Sequence, residues 1–176
     1  MQLYFVRHGQ TDSNAQAANN PSVGNDEPLN SLGTQQAHEL AEQLKDIDID
    51  VIISSPYRRA QQTAEIINTY HNLPIELDNA WREIQTDGYI DAHTWSSLFN
   101  FGSPPATASK ESLTDFFERI YQALDQLIAK HPDKTVVVVS HGGVQHAVYA
   151  YANKLPLAGD MRISPMRNCE YRIYEL

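Results

Sequence analysis

The chain has 176 residues, 41% of them hydrophobic, which suits one domain with a single core and is too short for two. Its formal net charge of −9 disfavours binding to nucleic acid or to an anionic membrane surface, because both partners need a positive field. The single cysteine, Cys169, excludes an internal disulfide and a thiolate metal cage. We therefore expect one domain over residues 1–176 in a reducing compartment.

The first residues of the chain argue against secretion. The short apolar run Leu3–Val6 leads directly into Arg7 and His8, with no basic leader followed by a longer apolar stretch. No apolar run approaches the ~20 residues that a membrane span requires. The expected location is cytoplasmic.

Apolar runs and helical spacings alternate along the rest of the chain. In chain order they predict strand Leu3–Val6, a helix through Leu40 and Ile47 that Ser31 caps, strand Val51–Ile53, helix Tyr57–His71, strand Leu73–Leu77, helix Leu113–Ala129, strand Val136–Val139, a helix after Gly142 and strand Tyr171–Tyr174. Alternation of this kind predicts an α/β fold, a three-layer sandwich with a mostly parallel central sheet flanked by helices.

One segment, over about residues 85–110, lacks a sustained period and is expected to form a small irregular cap. It contains the prolines Pro104 and Pro105. Its aromatic and imidazole side chains are Tyr89, His93, Trp95, Phe99 and Phe101. Among these, His93 is a candidate for contact with a substrate.

Cationic side chains and histidines follow three of the predicted strands. Arg7 and His8 follow the first, Ser54–Arg59 follows the second, and Ser140 with His141 follows the Val136–Val139 strand. Because the carboxyl ends of parallel strands share one edge of a sheet, these side chains are expected to converge. Arginines and imidazoles suit a phosphoryl group, whose charge is spread over three oxygens that fixed cationic donors must hold.

The chemistry also needs a nucleophile and an acid. A neutral imidazole attacks phosphorus when its other ring nitrogen donates to a carbonyl or carboxylate, and His8 before Gly9 is placed for this. Gly142 and Gly143 precede a predicted helix, whose free N–H groups favour an anion. A leaving alkoxide needs a proton, and Glu83, at the entrance to the cap, is the candidate donor.

Three motifs in this order resemble those of the histidine phosphatase superfamily, also called the phosphoglycerate mutase-like family, over essentially the whole chain. Its opening motif stands here as Val6-Arg7-His8-Gly9-Gln10-Thr11 followed by Asn14, and an early helix pattern as Leu32-Gly33-Thr34-Gln35-Gln36-Ala37. The second motif stands as Ser54-Ser55-Pro56-Tyr57-Arg58-Arg59-Ala60-Gln61-Gln62-Thr63-Ala64, and the third as Val139-Ser140-His141-Gly142-Gly143.

The resemblance implies a role for each matching residue. His8 is implied as the phosphorylated nucleophile, and the phosphoryl oxygens are implied to be bound by Arg7, Arg59 and His141, with help from Asn14. Arg59 is preferred over Arg58 because the family's arginine immediately precedes the alanine of the second motif. Further candidates for substrate binding are Gln10, Thr11 and Gly142.

The proton donor departs from the family pattern. Related phosphatases usually have a glycine four residues after this glutamate, whereas Gly88 lies five after Glu83. The string Trp81-Arg82-Glu83-Ile84 still fits the pattern. Asp87 is the alternative donor.

A metal centre is the competing use of several histidines. His141 and His146 are five apart and would not share a helical face as ligands four apart do, so neither a metal nor another cofactor is expected. The histidines that lack motif context are expected to be ordinary helix or loop residues: His38, His71, His131 and His146.

The expected partner is a small-molecule phosphate ester, and the expected reaction is metal-independent phosphomonoester hydrolysis. Mutase-type transfer is less favoured because residues 84–109 hold no Lys or Arg for a multiply charged bisphosphate. A phosphohistidine-protein phosphatase is an alternative, although the cap would tend to cover the site. A phosphate-binding domain without turnover is a third alternative, and it would require loss of a nucleophile, histidine or arginine that the sequence retains.

Overall fold

Five of the predicted apolar runs form the strands of one sheet. A computed structural model describes residues 1–16, 26–85, 92–102 and 110–176. Within these ranges the strands are β1 (Gln2–Arg7), β2 (Val51–Ser54), β3 (Ile75–Leu77), β4 (Thr135–Ser140) and β5 (Tyr171–Glu175), in the order β3-β2-β4-β1-β5. The first four are mutually parallel where they pair, and β5 alone runs antiparallel, beside β1.

Helices cover both faces of this sheet. They are α1 (Asp12–Gln16), α2 (Ser31–Leu44), α3 (Arg58–Ile67), α4 (Ala92–Ser97), α5 (Leu113–Lys130) and α6 (Val144–Ala152), with 3-10 turns at Asn68–Tyr70 and Asn79–Trp81. Alternate residues of each strand point to opposite faces, so β1 divides its side chains between two cores. Leu3 and Phe5 pack with residues of α5 and α6, whereas Tyr4 and Val6 pack with residues of α2 and α3. The predicted three-layer α/β sandwich is confirmed.

The register of the central strands aligns the ends from which the site is built. Arg7 of β1 pairs with Ser140 of β4, and Ser54 of β2 pairs with Val139. Backbone bonds extend the ladder by one step, since His8 N–H donates to Ser140 O at 3.0 Å and Ser55 N–H donates to Val139 O at 2.9 Å. The residues just beyond three strands therefore leave the sheet side by side.

Some predicted boundaries were wrong. Asn30, not Ser31, caps α2, because Asn30 is the residue in extended conformation and its side-chain oxygen accepts from Gly33 N–H at 2.8 Å. The third strand begins at Ile75 rather than at Leu73, whose N–H and C=O bond to the Asn68 side chain instead of a strand.

The cap segment is not wholly irregular, because it contains α4 and is attached to the loop before β5. Phe99 O accepts from Met161 N–H at 2.9 Å, and Phe101 N–H donates to Gly159 O at 2.7 Å. The Phe99 ring is fully buried and stacks on His146 of α6 at 4.0 Å between centroids. Tyr89, Pro104 and Pro105 lie outside the described residues. In the ranges that the structure does describe, no helix is long and apolar enough to cross a membrane.

Candidate active site

His8 lies directly after β1 and is held by a bond to its own neighbour. Its Nδ1 is 2.7 Å from Gly9 O, and a carbonyl oxygen only accepts, so Nδ1 carries the proton and Nε2 keeps a lone pair. Arg59 Nε–H donates to that lone pair at 3.1 Å. Burial, followed by the charges of Arg59 and Arg7, lowers the pKa of His8 well below its usual value. The imidazole is therefore neutral at pH 7.

His141 comes from the end of β4 and faces His8, with 5.1 Å between the ring centroids. Its Nε2 lies 2.7 Å from Ser55 Oγ. Its Nδ1 is buried and has no hydrogen-bond partner among the described residues. Burial, followed by the charges of Arg59 and Arg7, lowers the pKa of His141 well below the usual value, so this ring is also neutral at pH 7.

Two guanidinium groups, buried Arg59 and half-buried Arg7, lie beside the histidines. Arg59, in the first turn of α3, is 1% exposed and places its guanidinium over the Tyr57 ring at 4.8 Å. Arg7 donates through Nη1 to Met166 O at 2.5 Å, whereas its buried Nε has no hydrogen-bond partner within the described ranges. Arg58, by contrast, is exposed. The structure thus brings Arg59 to His8 and leaves Arg58 at the surface.

Glu83 adds a buried carboxyl group to the site. It is 6% exposed and its two oxygens accept from backbone N–H groups, one from Gly143 at 2.8 Å and the other from Ile84 at 3.0 Å. Burial raises the pKa of Glu83, against the opposing effects of these bonds and of Arg59 and Arg7. Asp87, the alternative donor, lies outside the described residues, as does Gly88.

Gly143 is required by space rather than by backbone conformation. Its φ of −72° and ψ of −39° are helical and open to any residue. A Cβ at this position would lie 2.2 Å from Glu83 Oε1 and 3.0 Å from Phe99 Cζ. At Gly142 a Cβ would make only ordinary contact with Arg7, with 3.6 Å to Nε.

The loop that follows His8 is tied to the helices that surround it. Gly9 N–H donates to Thr63 Oγ1 at 3.1 Å, and that hydroxyl donates to Arg59 O at 2.7 Å. A Cβ on Gly9 would lie 2.5 Å from Gly33 O, so the loop and the start of α2 touch through backbone alone. The Thr63 hydroxyl thus links the backbone next to His8 to the backbone of Arg59, in addition to the bond between the two side chains.

The remaining candidates of the first motif differ in what their side chains contact. Gln10 Oε1 accepts from Asn30 Nδ2 at 3.1 Å, which joins this side chain to the cap of α2. Thr11 is fully buried and its Oγ1 accepts from Asn14 N–H at the start of α1. Asn14 Oδ1 accepts from Thr11 N–H and from Asn168 Nδ2. The NH₂ group is therefore the part of the Asn14 side chain that could donate to a substrate.

Two contacting residues were absent from the sequence-based set. Ser55 belongs to the second motif, and a polar residue directly after a buried strand is a signal that pointed to it. Asn168 carries no such signal, because it acts across the chain, donating through Nδ2 to His8 O at 3.0 Å. His93, a candidate for substrate contact, is exposed on α4, and Trp95 packs edge-on against Phe99.

The site combines the neutral imidazole of His8, whose Nε2 carries a lone pair, with a second neutral imidazole, two guanidinium groups and a buried carboxyl group. Such a set can hold a tetrahedral dianion and exchange a proton with it. Across the described part of the chain, no group of three or more His, Cys, Asp or Glu side chains is placed to hold a metal ion.

Comparison with known proteins agrees with this geometry. The chain is 36% identical over 155 residues to the uncharacterized phosphatase PhoE of Bacillus subtilis strain 168, which covers 82% of this chain and 73% of that protein. It is 32% identical over 179 residues to the probable phosphoglycerate mutase GpmB of Yersinia pestis strain Pestoides F, covering 96% and 82%. A mycobacterial glucosyl-3-phosphoglycerate phosphatase superposes with a TM-score of 0.83 at 27% identity, over 98% of this chain and 88% of that one.

The family assignment follows from the match along the sequence. The sequence model described as histidine phosphatase superfamily (branch 1) matches residues 3–176, and the residues around His8, Arg59 and His141 lie within that match. The chain therefore belongs to the histidine phosphatase superfamily, branch 1.

Proposed function

We propose that this protein is a phosphomonoesterase that hydrolyses a small phosphorylated metabolite through a phosphohistidine on His8. The observation that carries the proposal is the bond between His8 Nδ1 and Gly9 O, which places the lone pair of the ring on Nε2, next to buried Arg59. The phosphatase names of the Bacillus subtilis relative and of the mycobacterial structure support hydrolysis.

The first step transfers the phosphoryl group to the protein. His8 Nε2 attacks phosphorus as the bond from phosphorus to the ester oxygen breaks. Arg59 Nε–H donates to the Nε2 lone pair at 3.1 Å. When substrate enters, this N–H must therefore leave Nε2 and donate to a phosphoryl oxygen instead. The charge on the phosphoryl oxygens is then held by Arg7, Arg59 and His141, and Glu83 gives a proton to the leaving oxygen.

The second step returns the protein to its starting state. Water attacks the phosphohistidine, the bond between phosphorus and Nε2 breaks, and the lone pair returns to the ring as orthophosphate leaves. Glu83, now a carboxylate, takes the proton of the attacking water. A single carboxyl group thus acts as acid and then as base, which suits a pKa that burial has raised. Asp87 remains the alternative donor.

The proposal includes metal independence. Two arginines supply positive charge at the phosphoryl position and His141 adds a hydrogen-bond donor, so the proposed steps need no Lewis acid. Activity should therefore persist in EDTA. Loss of activity in EDTA that an added divalent metal restores would contradict this part of the proposal. We also place the protein in the cytoplasm, in keeping with its single, unpaired Cys169.

The substrate class follows from what the cap offers. Residues 84–109 contain no Lys or Arg, so a second strongly anionic group on the substrate has no counter-charge from this segment. Its aromatic side chains instead favour an apolar or ring-bearing ester. The Yersinia pestis relative is named a probable mutase, so phosphoryl transfer to phosphoglycerate is the second candidate. A panel of phosphorylated metabolites separates the two, because preference for phosphoglycerate would favour the mutase.

The central test replaces the proposed nucleophile. His8→Ala should abolish hydrolysis of an aryl phosphate and abolish acid-labile labelling of the protein by a ³²P-phosphoester, while the unfolding temperature shows a folded protein. His38→Ala, at an exposed position of α2, is the matched control and should keep both. Hydrolysis by His8→Ala at the wild-type rate would refute the assignment, and a folded wild type inactive toward every ester would favour a phosphate-binding domain.

A further inference from the structure

We propose that Ser55 is a positioning residue that holds neutral His141 with its proton on Nδ1, so that this nitrogen donates to the phosphoryl group. The inference rests on the proposed function for its catalytic meaning. In this role Ser55 acts through the His141 ring and not on the reacting atoms.

Serine and histidine are held in place by neighbouring strand ends. Ser55 is fully buried, and its backbone N–H donates to Val139 O at 2.9 Å, two residues before His141. The Ser55 Oγ lies 2.7 Å from His141 Nε2. Because the two strands pair in parallel, this backbone bond keeps the two residues side by side at the edge of the sheet.

The neighbours of the serine favour one direction for its bond. Tyr57 N–H donates to Ser55 Oγ, at 3.5 Å, which uses one of the two acceptor lone pairs of the hydroxyl and leaves its proton available to point at the ring. If Nε2 accepts that proton, a neutral imidazole must carry its single N–H on Nδ1. The opposite tautomer would present a lone pair at Nδ1, which would repel a phosphoryl oxygen.

The other nitrogen of the His141 ring, Nδ1, is the one proposed to donate to the phosphoryl group. His141 Nδ1 is buried and lacks a hydrogen-bond partner throughout the described ranges, although the His8 ring lies 5.1 Å away between centroids. A buried imidazole N–H without a partner costs free energy unless a ligand accepts from it. An anion on His8 Nε2 is such an acceptor. Since burial and the nearby arginines keep the ring neutral, its donor depends on the tautomer and not on a positive charge.

The experiment measures the tautomer directly by ¹⁵N NMR of protein labelled at its histidine ring nitrogens. The chain has seven histidines, and the His141 signals are identified by their loss in His141→Gln. Wild type should show a protonated Nδ1 and an unprotonated Nε2. Ser55→Ala should shift the ring toward the Nε2–H form and lower kcat by roughly 10- to 100-fold, the range seen when a partner that orients a metal-binding histidine is removed.

Two variants separate positioning from general support of the fold. Ser55→Thr keeps a hydroxyl and should restore both the tautomer and most of kcat. Ser54→Ala removes a neighbouring buried hydroxyl, which donates to Ser55 O rather than to the ring, and should leave the tautomer unchanged. A Ser55→Ala protein with the wild-type tautomer, or a Ser55→Thr protein that regains neither property, would overturn the proposal.

The wild-type spectrum alone can decide the matter if Ser55→Ala does not fold, because a proton found on Nε2 of His141 refutes the inference. Failure of the proposed function is distinguishable from failure of this proposal. His8→Ala that remains active would end the nucleophile assignment while the Nδ1–H tautomer stands. An Nε2–H tautomer in an enzyme that still forms a phosphohistidine would end only the role of Ser55.

Discussion

Adding one methyl group at Gly143 should disable the proposed proton donor while leaving the phosphoryl site assembled. The Gly143 backbone is helical, and at a helical position with room for a methyl group alanine is more stable than glycine by about 0.5–1 kcal/mol. At Gly143 there is no such room. The new Cβ would lie 2.2 Å from Glu83 Oε1, a distance that requires the carboxyl group to move by about 0.8 Å to reach even the shortest observed contacts.

This displacement has two consequences of different size. Overpacking of a buried site costs about 1–3 kcal/mol of stability, which the helical preference of alanine offsets in part. For catalysis, a misplacement of about 1 Å costs on the order of 100-fold in rate. The rate loss should fall on substrates whose leaving group needs a proton, because the atoms nearest the added methyl group belong to Glu83 and Phe99 and not to His8, Arg7 or Arg59. Gly143→Ala should therefore lose about 100-fold in kcat/KM on alkyl phosphates and far less on aryl phosphates.

The neighbouring glycine provides a matched control. A Cβ on Gly142 approaches no nearer than 3.6 Å, to Arg7 Nε, so Gly142→Ala should keep the wild-type ratio of alkyl to aryl activity whatever its absolute rate. The assay compares kcat/KM for a pair of alkyl and aryl esters across wild type and both variants, with unfolding temperatures measured alongside. If Gly143→Ala and Gly142→Ala show the same ratio, the steric link between Gly143 and Glu83 does not matter for catalysis and the reasoning fails.

Three further outcomes are expected. Glu83→Gln should lose much more activity on alkyl than on aryl phosphates, and equal losses measured on the two ester types would transfer the proton-donor role to Asp87. Arg59→Ala should lower kcat/KM by about 100- to 1,000-fold, as loss of one oxyanion donor does, whereas Arg58→Ala at the surface should change it little; steady-state kinetics would contradict this if the two losses matched. Burial lowers the pKa of His146 to about 4, below its value in the unfolded chain, so the unfolded state binds more protons between about pH 4 and 6.5 and stability falls as pH falls through that window. From pH 7 to pH 5, urea unfolding should show wild type losing roughly 2 kcal/mol more stability than His146→Gln, since the other buried histidines contribute equally to both proteins, and equal losses would exclude this histidine as a cause.

The strands and the meeting of the three motifs were predictable because both follow from local pattern. Four consecutive valines before Ser140 form a buried strand in almost any α/β fold, and parallel strands necessarily present their carboxyl ends at one edge. His8 before Gly9 was likewise predictable, since the Nδ1 bond to Gly9 O joins adjacent residues. These features need no knowledge of how distant parts of the chain pack.

What the sequence did not reveal depends on contacts between distant segments. Asn168 donates to Asn14 and to His8 from 154 and 160 residues away, and nothing near Asn168 in the sequence marks it for this contact. The cap of α2 was assigned one residue late because Asn30 and Ser31 are both good capping residues. Only the extended backbone of Asn30 decides between them.

The two imidazoles of the site differ in which ring nitrogen is held by a neighbouring group. On His8 the acceptor is a carbonyl at Nδ1, which forces the proton onto that nitrogen and exposes a lone pair at Nε2. On His141 the partner is a hydroxyl at Nε2, which can supply a proton and leave the N–H at Nδ1. Since burial keeps both rings neutral, charge cannot distinguish them. If the site works as proposed, the Gly9 carbonyl makes one histidine a nucleophile and the Ser55 hydroxyl makes the other a donor.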